Sequence, residues 1–350
     1  MNAAAHRLSH LSRRRFLPVL AGGVAAGSEG LEIPGELKTP HKIGRLVVKS
    51  SGKKGAFDSE SVDVPFVFRD GKQFLMTFVG YDGTGYQTGL ASSDNLIDWK
   101  PEGVILARDP KSPVISSNAA LTWILRENDV FSAGSLRKAN GAYLGTYHAY
   151  PRPGYEEGPA VIGLCRSRDL VKWEIEPPCL RSQDGAAWER GGLYKSCLLE
   201  HEGTYYLFYN AKTEARRWTE QTGFATSRDL KTWARFAGNP VLPNGGPGSV
   251  DEVFASDPCV LRFRDRWAVF YYSLDRKGVA RDLLAISPDL RTFRKCDGVL
   301  IDVGPSGSVD SQYAHKPSVI CQDGVLFHFY CAVSKEHGRG MSFAASRKVW

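Results

Sequence analysis

The chain has 350 residues, 24% of them charged and 11% aromatic, enough for a sizeable hydrophobic core. Its formal charge of +7 includes Arg7, Arg13, Arg14 and Arg15 near the start, and without these four the balance is about +3, too mild to argue for a nucleic-acid partner. Seven cysteines form an odd set without metal-type spacing. Cys197, Cys259, Cys321 and Cys331 fall in apolar strand patterns, so buried thiols are expected rather than a disulfide framework.

In chain order, the first element is Ser12-Arg13-Arg14-Arg15-Phe16-Leu17, followed by an apolar stretch to Ala26. This pattern matches a twin-arginine export signal over residues 1–28, too short for a stable membrane span. It implies delivery by the bacterial twin-arginine machinery to the periplasm or beyond. Residues 29–40 read as a loose linker, and the rest, 41–350, as one domain.

Within that domain one unit recurs. A tight turn (Asp70-Gly71, Asn140-Gly141, Glu202-Gly203, Asp265-Arg266, Asp323-Gly324) precedes an aromatic-rich alternating run. Asp-Gly and Asn-Gly between apolar runs are strong hairpin signals. Each unit then reaches a Ser-x-Asp-Leu phrase ahead of an aromatic, with Leu96, Leu170, Leu230 and Leu290 spaced 74, 60 and 60 residues apart, and a degraded copy at Ser346–Trp350. Five such units predict an all-β fold, a five-bladed β-propeller of four-stranded antiparallel blades. The phrase reads as architecture: Ser and Asp fix the turn, and Leu and Trp pack between blades. The last unit stops where its outer strand would begin, and Lys42–Lys49 is the candidate to supply it, which removes an exposed edge.

Counting back about eight residues from each hairpin turn gives the heads of the innermost strands: Asp63, Ser132, Tyr194, Asp257 and His315. In a propeller these converge on the axis. Carboxylates and an imidazole gathered there are costly unless paired or used. Glu189, in Trp188-Glu189-Arg190-Gly191-Gly192-Leu193-Tyr194-Lys195, enters blade three on the same face. Beside an aromatic it suits a general acid, or else a surface ion pair with Arg190.

These strand heads and phrases resemble the five-bladed glycoside hydrolases, the group of families 43, 32, 62, 117 and 130. The resemblance spans the domain as architecture and does not single out one family; the Asn-Asp-Pro-Asn-Gly opening of family 32 is absent. It implies Asp63 as base, Glu189 as acid and Asp257 as tuner. By analogy with family 117, His315 is an alternative acid. The family 43 arabinanases instead imply a water-bridged calcium ion near His315, although no cofactor is required. Trp188, Arg190, Tyr194, Lys195, Asn118, Lys316 and Trp218 are read as substrate contacts.

The expected activity is hydrolysis of a glycosidic bond in an oligo- or polysaccharide by two acidic groups, with inversion. Lys195, Arg190, Lys316, Arg216, Arg217, Arg276, Arg281 and Arg339 in and around the mouth suggest an anionic saccharide. A non-catalytic carbohydrate-binding propeller and a glycoside phosphorylase remain alternatives.

Overall fold

The hairpin turns carry the backbone geometry their residues favour. Asn140 and Gly141 sit at φ 54° and 78°, Glu202 and Gly203 at 51° and 71°, and Asp323 and Gly324 at 51° and 71°. Positive φ at both central residues matches the twist of the flanking strands. Each turn joins the first two strands of a blade in the computed structural model, which describes residues 30–350. The export signal expected over residues 1–28 lies outside the described residues.

Five antiparallel blades follow in order, a five-bladed β-propeller. Their innermost strands are Ser61–Asp70, Ala120–Ile124, Gly192–His201, Phe254–Phe263 and Tyr313–Gln322. Their second strands are Gln73–Tyr81, Ala142–Ala149, Thr204–Lys212, Arg266–Leu274 and Val325–Ser334. Blade five ends at Gly338–Ala345, and its outer strand comes from the beginning of the domain: His41 pairs with Ala345 and Val48 with Met341. The closure expected of Lys42–Lys49 is therefore present.

The Ser-x-Asp-Leu phrases are turns built from their own side chains. Ser167 Oγ accepts from the Asp169 and Leu170 amides, and Asp169 Oδ1 from the Val171 and Lys172 amides. In blade one Asn95 takes the Asp place, bonding the Ile97 and Asp98 amides. Leu96, Leu170, Leu230 and Leu290 are buried at φ 61–65°, a conformation tolerated because the turn over-determines it.

A second repeat joins blades three, four and five. The segment leading into each carries one buried carboxylate, Glu189, Asp251 or Asp310. Each accepts a phenol from the second strand, from Tyr209, Tyr271 and Tyr330 at 3.4, 3.1 and 2.9 Å. Each also meets a cation of the outer strand: Arg235 at 2.9 Å, Lys295 at 2.5 Å and Lys42 at 2.5 Å. That cation then donates to a backbone carbonyl, of Arg181, Pro243 and Asp302 respectively. A glycine precedes each carboxylate (Gly185, Gly245, Gly304), because a Cβ there would collide with it. The latch ties loop, second strand and outer strand together.

Two expectations are corrected. Residues 31–40 are not a loose linker: Leu37 is fully buried, and Glu32 bridges to Asp297. Ser132 does not head a strand. Residues 125–137 are inserted between the inner strand of blade two and its hairpin, so counting back from Asn140 lands inside the insertion. The insertion covers the far end of the axis, reaching Arg69, Glu200, Arg262 and Cys321 of the other four blades. Arg126 anchors it, donating to the Val67 and Val319 carbonyls at 2.9 and 2.8 Å beneath Phe66 and Trp123.

All seven cysteines are free and six are buried. Among the described residues no helix is long and apolar enough to cross a membrane.

Candidate active site

The innermost strands do not run straight to the axis. Each has a register irregularity near its head: between Asp63 and Phe66, Leu121 and Trp123, Tyr194 and Ser196, Ser256 and Cys259, and His315 and Ser318. Four of these bulges place a non-glycine residue at positive φ: Val64 at 56°, Lys195 at 37°, Asp257 at 51° and Lys316 at 69°. Bulges re-aim side chains, and strain of this kind collects at functional sites. The bulges bring Asp63, Tyr194, Lys195, Asp257 and Lys316 to one narrow cavity of about 20 Å³, which Tyr86, His148 and Glu156 also line. That is room for a single water.

An outer cavity of about 740 Å³ lies above it, lined by Tyr155, Glu156, Arg190, Lys212, Glu214 and Trp218 among others. Glu156 borders both spaces. It is half-buried, sits at φ 58° between Gly154 and Gly158, and lies 3.5 Å from the Tyr86 hydroxyl.

Asp63 is tightly held. Its Oδ1 accepts the Val64 amide at 2.8 Å, and its Oδ2 accepts Lys316 at 2.9 Å and Arg339. Burial alone would raise its pKa, but Lys316, Arg339 and His315 outweigh burial and hold it far below the carboxylate range. The same pairing keeps Lys316 firmly protonated.

Two other carboxyls behave oppositely. Burial, reinforced by Glu156 and Asp257, pushes Glu220 up to about 7. Tyr194 OH at 2.5 Å and Trp218 Nε1 at 3.1 Å both donate to its Oε1 and oppose that shift. Burial pushes Asp257 up to about 6 against the pull of Lys316 and Lys195. Tyr194 lines the inner cavity and Trp218 the outer one, so Glu220 stands at their seam. A carboxyl protonated near neutrality beside ionised ones is the arrangement that acid–base chemistry needs.

Not every residue expected at the site is there. Glu189 belongs to the blade-three latch, on Arg235, and borders neither cavity; Trp188 stacks on Tyr209 behind it. Asn118 is fully buried, accepting the Tyr86 amide and donating to the Tyr150 and Arg152 carbonyls, which ties loops of blades one and two together. His315 packs against Tyr272 and Tyr313, and burial brings its pKa down to about 3, which leaves it neutral. A calcium ion does not fit beside it. Asp63 already serves two cations, and among the described residues no three His, Cys, Asp or Glu are grouped as metal ligands. Arg276 and Arg281 are paired with Glu252 and with Asp275 and Asp302, so the mouth is less cationic than the sequence suggested.

Glu156 and Glu220 were not anticipated. Glu156 follows the loop Tyr150–Tyr155, and Glu220 opens a strand two residues after Trp218. Locally neither differs from a solvated glutamate.

Fold and site together define a protein of the propeller glycosidase class. The sequence profile described as glycosyl hydrolases family 32 N-terminal domain matches residues 134–339, and the protein belongs to that family. The match begins after blade one and so leaves out Asp63. Levanase of Bacillus subtilis (strain 168) is 29% identical over 185 residues, 48% of this chain and 24% of the levanase. The aligned region thus spans about a quarter of that relative's length. A solved structure described as a complex of BT0996 with RGII is 31% identical with a TM-score of 0.78, covering 90% of this sequence and 94% of its own. Another, described as "Glycoside hydrolase", is 30% identical with a TM-score of 0.77, covering 90% and 93%.

Proposed function

We propose that the protein hydrolyses a glycosidic bond where the inner and outer cavities join, with Glu220 as proton donor and Glu156 as the ionised partner carboxylate. The observation that carries this is the pairing, at one seam, of a buried carboxyl kept protonated near neutrality with a half-exposed carboxylate bordering both cavities. Two carboxyl groups across a sugar ring are the common machinery of glycoside hydrolysis. A sugar stacked on Trp218, which is 37% exposed, would present its leaving oxygen to Glu220. Glu156 would then act on the water or the anomeric carbon.

Asp63 is a poor base, since both its oxygens are occupied and its proton affinity is low. Its part is to hold Lys316 and Arg339 in place. Inversion is the stereochemical expectation carried over from the resemblance, to be read from the first-formed anomer by NMR.

For the substrate we favour an oligosaccharide with an acidic group near the cleaved bond, held by Arg190 and Lys212, the cations that line the outer cavity. Glycans of the RGII type are first to test, since a relative similar over nine-tenths of this sequence is described as an RGII complex; levan is second. Sugar release from either by the wild-type protein, with uptake weakened in Arg190→Ala on acidic glycans alone, supports the proposal. Absence of release, or turnover that requires phosphate, sinks it. The protein's export to the periplasm or beyond rests on Arg13-Arg14-Arg15 and is tested by cell fractionation with an Arg13→Lys, Arg14→Lys signal.

A further inference from the structure

Asn210, on the second strand of blade three, is fully buried between Asp257 and Glu220. One end of its amide lies 3.1 Å from Asp257 Oδ1, 3.0 Å from the Lys195 carbonyl oxygen and 2.6 Å from the Tyr194 carbonyl oxygen. All three are acceptors, so that end carries the NH2 group, its two hydrogens shared among them. The other end, 3.3 Å from Glu220 Oε2, is then the amide oxygen. Two bare oxygens at that distance repel, whereas a proton on Oε2 makes the contact a hydrogen bond. Glu220 Oε1, already accepting from Tyr194 and Trp218, suits the carbonyl oxygen of a protonated carboxyl.

We propose that Asn210 allots the proton of this carboxyl pair, parking it on Glu220 Oε2 and leaving Asp257 ionised. The inference rests on the reading of Glu220 as proton donor and adds the residue that keeps the donor loaded. Glu220 is also faced by Glu156 and Tyr272, and Asp257 by Lys195, Lys316, Asp63 and Glu156. Among the described residues Asn210 alone is in hydrogen-bond contact with both carboxyls. A neighbouring charge raises or lowers a proton affinity. A fixed amide, a donor at one end and an acceptor at the other, decides between two groups. Asn210 is thus a positioning residue that acts through Glu220.

Infrared difference spectroscopy on the full-length protein tests this without a substrate, through the C=O stretch of buried protonated carboxyls. As pH rises from 5 to 8, the last such band should be missing in Glu220→Gln and present in Asp257→Asn. In Asn210→Leu, of similar volume, the Glu220 midpoint should fall and the Asp257 midpoint rise, each by about one pH unit, which inverts their order. Asn210→Ser serves the same comparison if the leucine variant does not fold. Loss of the last band in Asp257→Asn with Asn210 intact, or midpoints unmoved by either Asn210 substitution, overturns the proposal. Turnover of Glu220→Gln tests the donor role itself, so the two readings can fail separately.

Discussion

Glu220 and Glu189 are both buried glutamates of blade three, and their surroundings separate their chemistry. Glu189 faces a guanidinium at 2.9 Å, whereas Glu220 faces neutral donors and other carboxyls. A proton donor must keep its proton, so kcat/KM should fall as pH rises through about 7. Tyr194→Phe removes a donor that favours the ionised form of Glu220, and it should move this alkaline limb upward by about one pH unit, read from a pH–rate profile. A downward shift would show that the phenol acts otherwise. The sequence made Asp63, Asp257, Tyr194, Lys195 and Lys316 legible because the Asp-Pro and Lys-Pro strand heads repeat. Glu220 was not legible, since its burial comes from Tyr194 and Asn210 on other strands. Glu189 drew attention through Trp188 and the adjacent glycines. Its true kinship, with Asp251 and Asp310, is hidden by loops of unequal length.

At the scale of elements, the latch accounts for both the glycines and the cations. Gly304→Ala sets a methyl group against Asp310 and Ser308, and should cost about 1–3 kcal/mol in denaturant unfolding, as overpacking does. A cost near zero would mean the loop relaxes freely. Lys42 completes the blade-five latch and carries the closing strand with it. In Lys42→Met the amides of Ile43 and Val47, bonded to Phe343 and Met341, should exchange with solvent about 10–100-fold faster, local opening being governed by such contacts. The hairpins and Ser-x-Asp-Leu turns were readable because their geometry is set within a few residues. The insertion over residues 125–137 was not, because its partners come from four other blades.

For the molecule as a whole, ring closure packs three histidines, His148, His315 and His328, out of water, and burial holds each near 3. Folded-state values below the unfolded ones mean that the unfolded state takes up more protons as pH falls from about 6.5 towards 3, so stability is lost in that direction. Glu220 and Asp257, with raised values, oppose this between their ordinary range and about 6–7. Below pH 4 that opposition ends and Asp63 joins the histidines. Chemical denaturation between pH 4 and 3 should show stability dropping by about 4 kcal/mol per pH unit, equivalent to about three protons taken up on unfolding. A flat profile there would place the histidines in contact with solvent. The number of blades was legible in the spacing of the leucines. The depth of the axis was not, since it depends on the bulges and on the floor that the blade-two insertion supplies.

The central claim is that a protonated Glu220 at the cavity seam delivers the proton that breaks the bond. The most direct test is the rate of Glu220→Gln against wild type at pH 6 on the glycan from which sugar release is found. A loss of about 10²–10⁴-fold in kcat with the fold intact is the expected result for a general acid. A variant that turns over at the wild-type rate would contradict the account.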